Sequence, residues 1–394
     1  MTEIVIIDAL RTPRGRGNAK GALAQTTPVD LLAAPLRALA ERHALKGRTL
    51  ADSIFGCVTQ TAGQGANIGK LGLIAAGYSD AVPGLTVNRY CASGLSAVVL
   101  AALKAQAGDG LAIGGGVESM SQVPMASDKG PLTHDHAFQK SAGLVPIGIS
   151  ADAVATIEGF SRADCDAYAA ESQRRAVTAR EAGAFASLVP VAGLEQDETP
   201  RAGTSAEKLS ALDPAFAEMG QAYGFDATLM AYTGLGRIDH VHHAGNSPAM
   251  ADGASAVLLG TQAAARAAGL KPRARLLATA EMSVDRVLAL TGSVDAAQAA
   301  LNRAGLLAGD IDLFEVNESF AALALHFARS MDVPLDRLNV NGGAIALGHA
   351  MGSTGSALIG TALDELERRG ARRALIAACG AAGLASAVII ERVA

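Results

Sequence analysis

Short apolar runs of strand length alternate along the chain with stretches of helical spacing, and glycine-rich loops join them. Ile4–Ile7 is a continuous apolar run and predicts a buried strand. A polar, glycine-containing loop, Arg11–Gly17, follows it. Leu31, Leu32, Leu36 and Leu39 share one side of a helix over Asp30–Arg42. Ser53–Thr59 predicts a strand that runs into a Gly/Gln-rich loop, Gln60–Gly69. Leu85–Asn88 is a further strand. The chain then turns at Arg89–Cys91 into an alanine-rich helix, Ser93–Ala107, and returns through a buried strand, Leu111–Gly114.

From Ser121 to His243 the texture changes, and Pro, His, Asp and Lys interrupt the apolar runs. One long helix stands out, Ser161–Ala182, opened by Ser161 and Asp164 at capping-box spacing with Asp in place of Glu. This stretch predicts an insertion packed over a core. Buried strands resume at Gly253–Gly260 and Leu313–Val316. Asn339–Val340 then precedes a glycine-rich turn, Asn341–Gly355, a helix, Ser356–Arg369, and the strands Ala374–Ala378 and Ser386–Glu391. Val87-Asn88, Cys91, helix and LAIGGG thus have a counterpart in Val340-Asn341, His349, helix and LIAACGAAG. Pattern rather than identity carries this repeat. The alternation predicts an α/β fold with largely buried sheets.

Composition narrows the function. The 394 residues suggest two or three domains at roughly 150 residues each. Half the residues are hydrophobic, which argues against disorder. A net charge of −5 gives no basic field for nucleic acid, and 4% aromatics without Trp give no stacking platform. Four scattered cysteines, with no CxxC pair, fit a reducing compartment better than a disulfide framework or zinc ribbon. With no signal peptide or membrane-spanning run recognised, the expectation is a cytoplasmic protein.

Four residues could carry chemistry. Cys91, in RYCASGLSA, stands where a strand turns into a helix, and the helix dipole is expected to lower its pKa. His349, in NGGAIALGHAMGSTG, could serve as base to a thiol. Cys379, in ACGAAG, ends a buried strand beside small residues whose amides stay open for an oxyanion. Asn317, in VNESFA, could orient a water or an oxyanion. Singly, each is as well explained by packing or a turn; together they lie at strand ends beside glycine-rich turns, where sites assemble in α/β sheets.

RTPRG, RYCASGLSA, GGGVESMS, AGNSPAMADGA, VNESFA, NGGAIALGHAMGSTG and ACGAAG, in that order, resemble the thiolase family over nearly the whole chain. The resemblance implies two similar halves in a five-layer α-β-α-β-α arrangement with an inserted loop domain. Residues 1–120 with 244–272 would form the N-terminal half, 121–243 the loop domain and 273–394 the C-terminal half. It further implies that Cys91 takes the acyl group, that His349 deprotonates Cys91, that Asn317 holds a water, and that Cys379 moves the substrate α-proton. Backbone N–H groups of Cys91 and Ala381 would form an oxyanion hole. The implied reaction is reversible thiolytic cleavage of a 3-ketoacyl-CoA, with CoA as a substrate, no cofactor, and a homodimer or homotetramer. An acetyl-CoA acetyltransferase and a catalytically silent acyl-CoA-binding relative are the alternatives.

The chain departs from the family pattern at several points. Ala350 stands where Pro is usual after the histidine, and Ser319 where Ala is usual before Phe320; both Ser319 and Phe320 are candidate substrate contacts. Ala381 replaces a glycine, so a methyl group crowds the site and a positive φ there would be costly. Pro248 replaces a serine that contacts the pantetheine arm, and Ser247 is its candidate substitute. Val145–Gly148 lacks the histidine of many biosynthetic members, and an extra segment near Glu218–Asp239 is expected to reshape the acyl end of the pocket. Lys208, Arg237 and Arg273 are candidates for the CoA phosphates. His240, His242 and His243 invite a metal reading, but no carboxylate or cysteine cluster neighbours them in sequence and no metal is expected.

Overall fold

A computed structural model describes residues 3–393. Its strands are β1 (Ile4–Arg11), β2 (Gly15–Arg16), β3 (Asp52–Gly56), β4 (Leu85–Val87), β5 (Leu111–Ser119), β6 (Ala251–Thr261), β7 (Ala274–Ser283), β8 (Leu313–Val316), β9 (Arg373–Cys379) and β10 (Leu384–Arg392). They hydrogen-bond in the order β4-β3-β5-β6-β1-β7-β10-β9-β8, with β2 beside β6. β1 and β7 pair only at Val5–Arg275 and Ile6–Ala274, a narrow seam between two half-sheets.

Side-chain alternation along the strands divides the core. On β6, Val257 and Leu259 face a central layer, whereas Ala256 and Leu258 face an outer one. The central layer holds two helices, Ser93–Gly108 and Met351–Arg369, which bury Leu95, Val98, Leu358 and Leu363 between the half-sheets. Helix Pro28–Arg42 covers the first half-sheet through Leu31, Leu32 and Leu36. Helices Gly292–Ala304 and Ala321–Ser330 cover the second through Leu301 and Phe327. The result is helix, sheet, helix, sheet, helix. The repeat is visible in the topology: β4 lies parallel beside β3 at one edge, and Leu338 bridges Phe314 of β8 in parallel at the other.

The two central helices meet at their N-terminal turns because glycine lets them. A Cβ on Gly94 would stand 2.6 Å from Gly352 O, and one on Gly355 would stand 2.7 Å from Leu95 N. This requirement also explains the glycine run in β5. The strand continues through Gly114–Gly116 to Ser119 rather than stopping at Gly114, and a Cβ on Gly116 would lie 2.0 Å from Gly352 O.

Other boundaries differ from the pattern reading. The last long helix begins at Met351, not Ser356, and the preceding turn contains a short helix, Ala344–Leu347. Asn339–Val340 forms no strand of its own. The Gln60–Gly69 loop includes a 3-10 turn, Ala62–Gln64, and the start of a helix, Ile68–Ala76. β7 occupies a stretch in which the pattern assigned no element. Between β5 and β6 lie helices and loops, including Ile147–Glu158 and Arg162–Glu181. Ser161 and Asp164 form the reciprocal capping box at the start of the latter. Tyr90–Gly108 has the length and apolar character of a membrane span, yet 61% of it is buried, as the central helix of the fold.

Candidate active site

The chain leaves β4, passes through Tyr90 at φ +48° and enters the first central helix at Ser93. Tyr90 N–H donates to Asn88 Oδ1 at 2.8 Å and Arg89 N–H to Ser93 Oγ at 2.7 Å, which hold this tight elbow. Cys91 sits on it. The CGAAG turn packs directly against it: a Cβ on Gly380 would lie 2.9 Å from Arg89 O and 3.4 Å from Cys91 N. β9 therefore delivers Cys379 next to Cys91. The second central helix begins at Met351, two residues after His349, and its first turn abuts Gly94 of the first.

The histidine's tautomer follows from its partners. Thr354 Oγ1 donates to Ala350 O at 3.0 Å and so accepts from His349 Nδ1–H at 2.9 Å. Nε2 then carries the lone pair, and it has no hydrogen-bond partner among the described residues. Burial, with help from the Arg14 charge, holds the imidazole down to about 3. Burial pushes the Cys91 thiol up to about 12, and Cys379 and Glu118 act in the same direction. The lowered Cys91 pKa expected from the helix dipole is thus overturned: the helix starts two residues on, and desolvation outweighs its field. The resting pair is a neutral thiol and a neutral imidazole.

Burial also raises Cys379, while the Ser319 hydroxyl, 3.1 Å from its sulfur, draws it back. Asn317 Nδ2 donates to the same hydroxyl at 3.1 Å, and Asn317 Oδ1 is buried without a partner among the described residues. Ser319 is therefore engaged by protein groups on both sides rather than presented to a ligand. Phe320 is 4% exposed, packed against Phe216 and His242 with ring centroids 6.0 and 5.1 Å away. Ser247 Oγ is buried and has no partner among the described residues. Neither Cys91 N–H nor Ala381 N–H has a backbone acceptor among them. The strained φ foreseen at Ala381 falls instead on Ala382, at +56°.

Residues that the sequence reading did not single out build the frame. Glu318 accepts from Tyr168 Oη at 2.8 Å, Ser172 Oγ at 2.9 Å and Ile345 N at 3.0 Å, and so ties the Asn317–Ser319 loop to the long helix. Glu118 accepts from Val58 N, Thr59 N, Gln64 Nε2 and Gly352 N, the last at 2.9 Å, which fixes the start of the second central helix. A glutamate inside an otherwise apolar motif, VNESFA or GGGVES, was the available signal. The histidine tract is also explained by distant carboxylates. His240 pairs with Asp152 and Asp226, His242 with Asp152, and His243 with Asp166, at 2.7–3.1 Å. The sequence neighbourhood showed no such carboxylates. Among the candidates for the CoA phosphates, Arg273 is committed to Asp8, Asp364 and Glu367, Arg237 to Asp239, and Lys208 Nζ to Gly203 O.

Cys91 and Cys379 come together where strands of both halves end, beside backbone N–H groups with no backbone acceptor among the described residues. Thiols so placed suit an acyl-transferring enzyme. Residues 4–229 match the family model described as the thiolase N-terminal domain, and residues 270–392 match the thiolase C-terminal domain. The chain is 38% identical to the 3-ketoacyl-CoA thiolase of Klebsiella pneumoniae subsp. pneumoniae, over 100% of both chains. It is 37% identical to the beta-ketoadipyl-CoA thiolase of Pseudomonas aeruginosa, over 99% of each. The protein belongs to the thiolase family.

Proposed function

We propose that the protein catalyses CoA-dependent thiolytic cleavage of 3-ketoacyl-CoA, a reversible Claisen reaction of fatty-acid degradation, through an acyl group on Cys91. The convergence of Cys91 and Cys379 from the two halves carries this reading, since cleavage needs a nucleophile at the ketone and a proton donor for the departing carbon. His349 Nε2 takes the Cys91 proton as the sulfur attacks C3 of the substrate. The C2–C3 bond breaks, its electron pair goes to C2 as an enolate, and Cys379 supplies the proton that completes acetyl-CoA. Free CoA then enters, its thiol proton passes to the Cys379 thiolate, its sulfur attacks the acyl carbon, and Cys91 leaves and takes its proton back from His349. Charge develops on two oxygens: His349 and a water held by Asn317 receive that on the thioester oxygen, and the N–H groups of Cys91 and Ala381 form the second oxyanion hole. CoA acts as a substrate, and no further cofactor enters the scheme.

The finer assignments rest on less. Gly148 occupies the Val145–Gly148 run, and the Phe216 ring lies where its Cβ would be, 2.2 Å away. The absence of a histidine from this run is what supports a degradative enzyme over a dedicated acetoacetyl-CoA synthase. β4 is an edge strand with Leu85 exposed, and Leu71 and Ile74 of the neighbouring helix are exposed too, which supports a homodimer or homotetramer. Intact-protein mass spectrometry with 3-ketoacyl-CoAs of rising length tests the reading. A single adduct on Cys91 that free CoA removes is expected, with substrates longer than C4 included. Adducts and turnover restricted to C4 would favour the acetyltransferase, and no adduct at all would favour a silent binder.

A further inference from the structure

Ser319 Oγ stands 3.1 Å from Asn317 Nδ2 and 3.1 Å from Cys379 Sγ. It is buried at 6% exposure, and its own N–H is bonded to Asn317 O at 2.9 Å, so the loop backbone fixes its position. A hydroxyl has one proton to donate and two lone pairs to accept with. Asn317 Nδ2 fills one lone pair. The remaining partner is Cys379 Sγ. If that sulfur is a thiolate, the serine proton points at it and the Ser319 hydroxyl is satisfied as both donor and acceptor. If it is a thiol, the hydroxyl and the S–H compete: one of the two protons has no acceptor among these three residues.

We propose that Ser319 is a positioning residue for Cys379: oriented by the Asn317 amide, its hydroxyl supplies the hydrogen bond that the Cys379 thiolate requires when its proton has passed to the enolate carbon. The inference rests on Cys379 being the acid/base of the proposed reaction. The proton leaves Cys379 Sγ for C2 of the departing enolate, the electron pair stays on sulfur, and the Ser319 O–H remains on oxygen throughout. In the reverse direction the same hydrogen bond holds the thiolate ready to take an α-proton from acetyl-CoA. Burial alone would disfavour a charged sulfur here, and the Ser319 hydroxyl offsets it first, with the Ser293 hydroxyl acting in the same direction. The opposite amide orientation of Asn317 would draw the serine proton toward its own oxygen and remove the effect.

The test titrates Cys379 directly. In a Cys91→Ser background, the pH dependence of iodoacetamide labelling of Cys379 is measured for Ser319, Ser319→Ala and Ser319→Thr, with peptide mapping to assign the label. Ser319→Ala is expected to move the midpoint up by about one pH unit, which corresponds to ~1.4 kcal/mol. At a fixed pH below the midpoint the labelling rate falls only about three-fold, because the more basic thiolate is the better nucleophile. Ser319→Thr, which keeps the hydroxyl, restores the wild-type midpoint. With Cys91 present, Ser319→Ala should slow exchange of the acetyl-CoA α-protons with D2O about ten-fold, and Ser319→Thr should recover it. An unchanged midpoint in a folded Ser319→Ala protein overturns the proposal. If Cys379→Ser itself leaves α-proton exchange intact, the acid/base assignment falls instead. If Cys379→Ser abolishes exchange while Ser319→Ala changes neither readout, the role of Ser319 alone is refuted.

Discussion

Glu318 offers the sharpest test of how the site is held together. Its carboxylate is fully buried and accepts from Tyr168 Oη, Ser172 Oγ and Ile345 N at 2.8, 2.9 and 3.0 Å. Asn339 Nδ2 approaches less closely, at 3.3 Å, and keeps Val316 O at 3.0 Å without it. Glu318→Ala therefore strands three buried donors. At about 1–3 kcal/mol each, less what water can recover, the loss is about 3–5 kcal/mol. Water has a route, because Tyr168, Ser172, Glu318 and Asn339 line a cavity of about 290 Å³. Glu318→Gln keeps the volume and one acceptor oxygen, so its cost is about 1–2 kcal/mol. Burial raises the carboxyl above its usual range. Its folded state thus binds a proton more tightly than the unfolded chain, and wild-type stability falls as pH rises from the unfolded value through the folded one. Gln does not titrate, so the gap between wild type and Glu318→Gln narrows with rising pH. Urea unfolding followed by far-UV circular dichroism at pH 5 and pH 8 measures both quantities. A loss below about 1 kcal/mol for Glu318→Ala, or a gap that widens with pH, would refute the reasoning.

Gly352→Ala would place its methyl group 2.7 Å from Gly56 O and Val117 O, backbone atoms that cannot turn aside; a loss of about 3 kcal/mol or more and of Cys91 acylation is expected, by unfolding and mass spectrometry. Ala350 sits at φ −82° with no backbone acceptor for its N–H among the described residues, so Ala350→Pro should gain about 0.4–1 kcal/mol with kcat unchanged; a destabilised variant would show that the loop needs its freedom. With its thiol near 12 in the free enzyme, Cys91 should react with iodoacetamide about ten-fold faster for each pH unit between 7 and 10, and a plateau below pH 8 would reveal a preformed thiolate instead.

Cys91, His349 and Cys379 stood out in the sequence only as a set, because each lies in glycine-rich surroundings at a strand end while each singly is as well explained by packing. What they touch could not be read locally. His240, His242 and His243 have only Asp239 beside them in the sequence, yet helices Ile147–Glu158 and Arg162–Glu181 bring Asp152 and Asp166 within 2.7 Å. The thiol's electrostatics were misjudged for a related reason. A dipole effect is a sequence-local argument that fades within a turn, whereas desolvation depends on everything packed around the sulfur. β7 escaped because ARLLATAEMS is rich in helix formers. Pairing along almost its whole length with β10 overrides that local preference.

The repeat explains why the chemistry is divided between the halves. Each half feeds an edge segment into a turn and a central helix, and the two turns occupy equivalent places: Cys91 two residues before Ser93, His349 two residues before Met351. Two such helices buried side by side between two half-sheets bring their first turns together only if the contact surface is backbone. Gly94, Gly352 and Gly355 provide that surface, and Gly116 on β5 makes room for the same carbonyl. Cys91 and His349 thus stand at matched positions, one on each half. Cys379 joins them because β9 of the second half ends against the elbow of the first, where Gly380 permits 2.9 Å approach to Arg89 O. The glycines that look like loop punctuation in the sequence are therefore the residues that set how closely a thiol, an imidazole and a second thiol can be packed.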